Sequence, residues 1–216
     1  MQPRGLISFV FDDGYERVFQ NAVPALEKHR FPGVFAVAIE GQRLEKTEQR
    51  SVRAWESWKQ LTARGHEIAS HTVTHPNLTK LSPAQLEQEL RQSHELLDAS
   101  TLVYPGGAVN DDVVAVAKRY YTAARTVQRG FASIPPTDPF RLHSYNFSRN
   151  NFSVGKANLL ALWACVTNQW LIETYHMIDD AETGMVHSVR TTDFARHLDF
   201  VARLPIAVKT IRDVCR

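Results

Sequence analysis

Only two cysteines occur in the 216 residues, Cys165 and Cys215, far apart in the chain. A disulfide framework is therefore excluded, and two reduced thiols are expected. Neither sign of charge dominates: 25 Lys and Arg face 23 Asp and Glu, for a net charge of +2. That balance argues against a dedicated nucleic-acid partner. No apolar run reaches the length of a membrane span, and no basic-then-apolar leader precedes the first strand. The expectation is a cytoplasmic protein, with secretion only where a leader has been removed. There is no internal repeat and no second composition regime. No Gly-x-Gly-x-x-Gly follows a strand, which weakens any nucleotide-binding reading. What remains has an ordinary globular composition, 44% hydrophobic and 22% charged. It is long enough to bury a core as one domain over residues 1–216.

The chain is organised around Leu6-Ile7-Ser8-Phe9-Val10-Phe11-Asp12-Asp13-Gly14. Leu6 to Phe11 is a short apolar run rich in β-formers and reads as a buried strand. It ends in two adjacent carboxylates and a glycine that permits a sharp turn. Two acids at the mouth of a buried strand repel each other, and a divalent cation is the simplest partner for both. Asp13 could equally serve only to cap the helix that follows.

Strands and helices then alternate. Arg17 to His29 carries a helical apolar stripe with Pro24 inside it, so the helix is expected to start at Pro24 or just before. Val34 to Ile39 reads as a strand, and Gln42 to Arg50 as a polar loop. Trp55, Trp58 and Leu61 give a helix closed by Gly65. Glu67 to Ser70 is a strand that leads into His71-Thr72-Val73-Thr74-His75-Pro76. Ser82 with Pro83 opens the clearest helix. Thr101 to Tyr104 is a strand stopped by Pro105-Gly106-Gly107. A helix over 111–120, strands over 122–127 and 141–148, and a helix over 155–166 follow. The strand Trp170 to Tyr175 ends at His176. A helix over 193–204, a short strand over 206–208 and a closing turn complete the chain. The pattern predicts an α/β fold with a mainly parallel sheet. Its form is a distorted, incomplete (β/α) barrel of about seven strands, with an open doubly wound sheet as the alternative.

Every polar signature falls just past a strand: Asp12 and Asp13, His71 and His75, Pro105 and Gly106, then His176. In a parallel barrel these ends share the face where catalytic groups collect. Any one of the nine histidines could be simply solvated. Two of them four apart at a strand end, joined by one carboxylate, make a metal triad with positions open for water and substrate.

Phe11-Asp12-Asp13-Gly14 followed by Ser70-His71-Thr72-Val73-Thr74-His75-Pro76 resembles the polysaccharide deacetylases, the NodB-homology or carbohydrate esterase family 4 group. The resemblance runs over most of the chain, in the family's order. It implies that Asp12 is the general base, and that Asp13, His71 and His75 hold one divalent ion, usually zinc. It implies that His176 is the general acid and that the N–H of Gly106 is the oxyanion donor. The substrate implied is an N-acetylated sugar, oligosaccharide or glycan.

The sequence departs from the family in three places. Val103 stands where the third motif usually has an arginine beside the catalytic aspartate, and Arg149 is the candidate to replace it. The Tyr104-Pro105-x-Gly form of that motif looks like the poly-N-acetylglucosamine deacetylase branch. The fourth motif, an Asp and Trp pair, is absent, and the last reads Glu173-Thr174-Tyr175-His176. Tyr15, Tyr104, Pro105 and Tyr175 are the candidates for substrate contact. Two other readings stay open: a metal-dependent amidase acting on a non-sugar amide or cyclic ureide, and a glycan-binding barrel without turnover.

Overall fold

The structure is a computed structural model that describes residues 4–180 and 186–216. Seven parallel strands follow one another in sequence order: β1 (Leu6–Phe11), β2 (Gly33–Val37), β3 (Glu67–Ser70), β4 (Thr101–Val103), β5 (Ala123–Arg129), β6 (Leu142–Asn146) and β7 (Trp170–Tyr175). β7 pairs back onto β1 over its whole length, Leu6 opposite Trp170 through Phe11 opposite Tyr175, so the barrel closes. The incompleteness expected from the sequence is thus one of strand number, seven rather than eight. On its other side β1 meets β2 only from Phe9 to Phe11. β10 (Ala207–Val208) fills the lower part of that edge, against Leu6 and Ile7. A two-strand parallel pair, β8 (Met177–Ile178) and β9 (Ser188–Val189), sits beyond the end of β7.

The helices are α1 (Val23–Lys28), α2 (Gln42–Glu48), α3 (Trp55–Lys59), α4 (Pro83–Leu97), α5 (Asp111–Ala117), α6 (Val154–Thr167), α7 (Thr191–Val201) and α8 (Ile211–Val214). α1 is preceded by a π-helical stretch over Val18–Ala22. α3 runs into a 3₁₀ turn over Gln60–Arg64, closed by left-handed Gly65. α4 begins at Ser82 with a reciprocal capping box to Gln85. The segment read as a polar loop, Gln42 to Arg50, is helical as α2. Its one buried residue is Leu44, too little apolar signal to mark a helix. Among the described residues, no helix is long and apolar enough to cross a membrane.

Strand alternation divides the core into two layers. Val10, Val34, Ala36, Ala69, Val103, Leu142 and Ile172 fill the barrel interior. Phe9, Phe11, Phe35, Leu102, Leu171 and Tyr175 pack outward, against Leu90, Ala161, Phe194 and Leu198 of the helices. The interior is floored by Trp170, whose indole N–H donates to Ser8 Oγ at 3.0 Å. Both cysteines are free thiols.

Candidate active site

The same alternation fixes which side chains reach the barrel mouth. β1 places Val10 inward and Phe11 outward, so Asp12 turns inward at the upper rim. Its N–H donates to Tyr175 O at 2.9 Å, which extends the β1–β7 ladder by one residue and sets Asp12 beside His176. Asp13 and Gly14 then take left-handed conformations in succession, φ 71° and 70°. The glycine adopts this freely, whereas an aspartate does so at a cost of about 1–2 kcal/mol. The turn folds the Asp13 carboxylate back over the mouth.

β3 delivers the histidines. His71 N–H donates to Val37 O at 2.9 Å, and its Nδ1 lies 2.7 Å from Val103 O. A carbonyl only accepts, so Nδ1 carries the proton and Nε2 presents a free lone pair. That nitrogen points at Asp13 Oδ1, 3.3 Å away, and His75 Nε2 reaches the same oxygen at 3.5 Å. One ligand atom from each of Asp13, His71 and His75 lies within 4.8 Å of the others. Two imidazole nitrogens and one carboxylate oxygen, with one imidazole already oriented by a carbonyl, are a donor set that fits a divalent transition metal.

The electrostatics agree with that geometry. Burial would raise the Asp13 carboxyl, but the His71 hydrogen bond and the charges of His176, His71 and His75 hold it well below the usual range. Burial and the neighbouring His71 bring the His75 imidazole down to about 4. Burial opposes charge on His71 as well. There the Asp13 hydrogen bond and the charges of Asp12 and Asp13 prevail, and the imidazole is raised.

His176 turns inward above β7. Its Nε2 lies 3.9 Å from Asp12 Oδ2 and 4.0 Å from Asp13 Oδ2. Its Nδ1 is buried and, among the described residues, has no hydrogen-bond partner. The exposed His187 packs on it, ring centroids 4.9 Å apart. Burial and the charge of His176 lower the His187 imidazole. Gly106 lies on the exposed turn after β4 with φ 57°, and a Cβ there would meet nothing within 4 Å.

Five candidate residues are corrected here. The cation beside Asp12 is Arg125 of β5, not Arg149. Arg125 is fully buried, and its Nη2 bonds both Asp12 oxygens at 2.7 Å and 2.5 Å. Arg149 is exposed after β6, its backbone N–H bonded to Val186 O. Tyr104 and Tyr175 do not face the mouth, because their inward neighbours Val103 and His176 leave them on the outer face. The Tyr104 hydroxyl donates to Phe140 O at 3.0 Å and that of Tyr175 to Glu173 at 2.8 Å. Pro105 is likewise buried. Tyr15 is fully buried with its hydroxyl on Glu48. Burial, the charge of Asp13 and the Glu48 hydrogen bond push its phenol well up, and its full burial leaves it closed to a substrate. The signal for Arg125 was present in the sequence. Arg125 directly follows Ala123 and Ala124 at the buried start of β5, where an arginine needs an acid beside it.

The family model for polysaccharide deacetylases matches residues 2–124, more than half of the chain and the part that bears Asp12, Asp13, His71 and His75. The chain belongs to the polysaccharide deacetylase family. Among curated relatives, a chitooligosaccharide deacetylase of Sinorhizobium fredii is 29% identical over 126 residues, 55% of this chain and 54% of that protein. A gellan lyase of a Bacillus species is 45% identical over 75 residues, 32% of this chain but 3% of that protein. The chain spans about half the length, or less, of these curated relatives. Among solved structures, the family 4 carbohydrate esterase from Streptomyces lividans, in complex with acetate, superposes with a TM-score of 0.60. It is 16% identical, and the match covers 98% of this chain and 96% of that one. At that identity the likeness is one of fold. In this deacetylase-family barrel the arginine beside Asp12 comes from β5.

Proposed function

We propose that the protein is a metal-dependent hydrolase that removes the acetyl group from the nitrogen of an N-acetylated sugar, oligosaccharide or glycan. The observation that carries the reading is the convergence of Asp12, Asp13, His71, His75 and His176 at one barrel mouth in a member of this family. Asp13, His71 and His75 would hold one divalent ion, and the two-nitrogen, one-oxygen donor set suits zinc. Such an ion supplies polarisation of the acetyl carbonyl and a water more acidic than bulk water.

The chain's own residues divide the remaining work. Asp12, held by Arg125, takes a proton from the attacking water as general base. The Gly106 N–H is offered to the developing oxyanion from a turn with no side chain in the way. His176 Nε2 faces the same space as the two carboxylates and gives a proton to the departing nitrogen. The carbon–nitrogen bond breaks, leaving acetate and a free amine.

A second reading, hydrolysis of a non-sugar amide or cyclic ureide, is favoured by one observation. Tyr15, Tyr104 and Tyr175 lie in the core, so none of them offers a ring face to a sugar. Elemental analysis of the purified protein, with acetate release from chitooligosaccharides, tests both. The first reading expects about one ion per chain and acetate from the sugars. Bound metal with turnover only of non-sugar amides supports the second, and absence of both metal and turnover overturns both.

A further inference from the structure

The loop between the two histidines has its backbone N–H groups held by side chains, while its Thr72 and Val73 carbonyls accept from Ile39 and Glu40 N–H at 3.2 Å and 2.8 Å. Four consecutive N–H groups donate to side-chain oxygens: Thr72 to Ser70 Oγ at 3.2 Å, Val73 and Thr74 to Glu89 Oε2 at 2.8 Å and 3.0 Å, and His75 to Thr72 Oγ1 at 3.1 Å. The Thr74 hydroxyl adds a bond to Glu89 Oε1 at 2.7 Å. The loop needs this support. Thr72 and His75 both lie in the left-handed region, φ 70° and 57°, and a β-branched residue there is a genuine outlier. Such conformations persist where the surroundings over-determine them.

Successive N–H groups aimed at one point form a concavity that binds an anion. Here the anion is the carboxylate of Glu89, half-buried on α4. The same helix holds the end of β3 one turn later, where Ser93 Oγ accepts from Ser70 Oγ at 2.9 Å, just before His71. α4 is itself well anchored, by its capping box and by Leu86, Leu90 and Leu97 in the core. A rigid helix thus holds the loop, and the loop presents the histidines.

We propose that Glu89 is a positioning residue for the metal set: its carboxylate fixes the backbone between His71 and His75 so that both Nε2 atoms converge on Asp13. Glu89 lies outside the ligand cluster and acts through the loop alone. The inference rests on the metal reading given above.

The test is the zinc affinity of the purified chain, measured by competition with a chelator, with the visible absorption of the cobalt(II) form as a record of ligand geometry. Glu89→Ala should bind zinc about 10–100-fold more weakly, the usual effect of losing a residue that supports a ligand. It should also shift the cobalt bands. Sodium formate, a carboxylate small enough for the vacated concavity, should restore part of the affinity in Glu89→Ala and leave the wild type unchanged. Glu89→Gln keeps an acceptor oxygen but not the charge, and should show a smaller loss in the same direction. A wild-type chain that takes up no zinc overturns the metal reading and this inference together. Wild-type affinity and an unchanged cobalt spectrum in folded Glu89→Ala overturn the role of Glu89 alone. Should Glu89→Ala fail to fold, affinity in Glu89→Gln equal to the wild type does the same.

Discussion

Arg125 Nη2 lies 2.7 Å and 2.5 Å from the two carboxylate oxygens of Asp12, across 113 residues of sequence. Both side chains are buried, so the pair is a tether rather than a surface contact. Removing one partner of a buried pair leaves the other charge uncompensated, at a cost of about 3–5 kcal/mol. Arg125→Ala should therefore lose stability on that scale in denaturant unfolding, and most of its acetate release with it. Arg149→Ala should turn over at the wild-type rate, since Arg149 lies at the surface. Equal damage from both substitutions would break the assignment of Arg125 as the partner of Asp12.

Asp12 and Asp13 are adjacent but face different partners, which allows their roles to be separated. Asp13 lies against His71 and His75 and Asp12 against Arg125, while His176 stands near both, at 4.0 Å and 3.9 Å. Asp12→Asn should keep the metal and lose turnover by about 10²–10⁴-fold, the usual scale for a general base. Metal content and acetate release measured on the same preparation check this. A variant with near-normal turnover would remove Asp12 as the base.

The cluster of Asp13, His71 and His75 was legible in the sequence because its signals are local. Asp12-Asp13-Gly14 and His71 through His75 each sit at the end of a recognisable strand, and parallel order brings strand ends together. Arg125 was less legible because its partner is on the opposite side of the chain's order. The strand that bears it also holds Thr126, Gln128 and Arg129, so Arg125 does not stand out among them, and the resemblance points to Val103 instead. The directions of Tyr104 and Tyr175 follow from a parity available beforehand: if His176 points inward, Tyr175 points outward. β8 and β9, two residues each, are too short to leave a periodic signal.

Tyr175 provides a test of that parity. Its ring stacks on Phe11, centroids 5.6 Å apart, and its hydroxyl donates to the fully buried Glu173, which also meets His197. Tyr175→Phe should therefore cost about 1–3 kcal/mol of stability, the cost of leaving a buried acceptor short of a partner, with KM unchanged. A large rise in KM without loss of stability would return Tyr175 to the substrate cleft.

The last prediction concerns acid stability and His66, far from the metal cluster. Its Nδ1 accepts the Gly33 N–H at 2.9 Å, so that nitrogen must be unprotonated in the fold. Its Nε2 lies 3.4 Å from Glu27, which favours charge, but burial prevails and the imidazole is lowered from its ordinary 6.5. Between 6.5 and the lower folded value, the unfolded chain binds the proton and the folded chain does not. Stability from this group is therefore complete above 6.5 and is lost as the pH falls below it. Glu27, also lowered, begins to lose its contribution only below its ordinary 4.5, outside the range from pH 7.5 to 5. His66→Gln keeps an oxygen able to accept from Gly33 but does not titrate. Denaturant unfolding of both proteins with chelator present, from pH 7.5 to 5, should give the variant the shallower acid slope. The difference is at most about 1.4 kcal/mol per pH unit, the limit for one proton. The chelator leaves the histidines of the metal cluster to titrate alike in both, so the difference reports His66. Equal slopes would mean that the bond from Gly33 survives protonation or does not form.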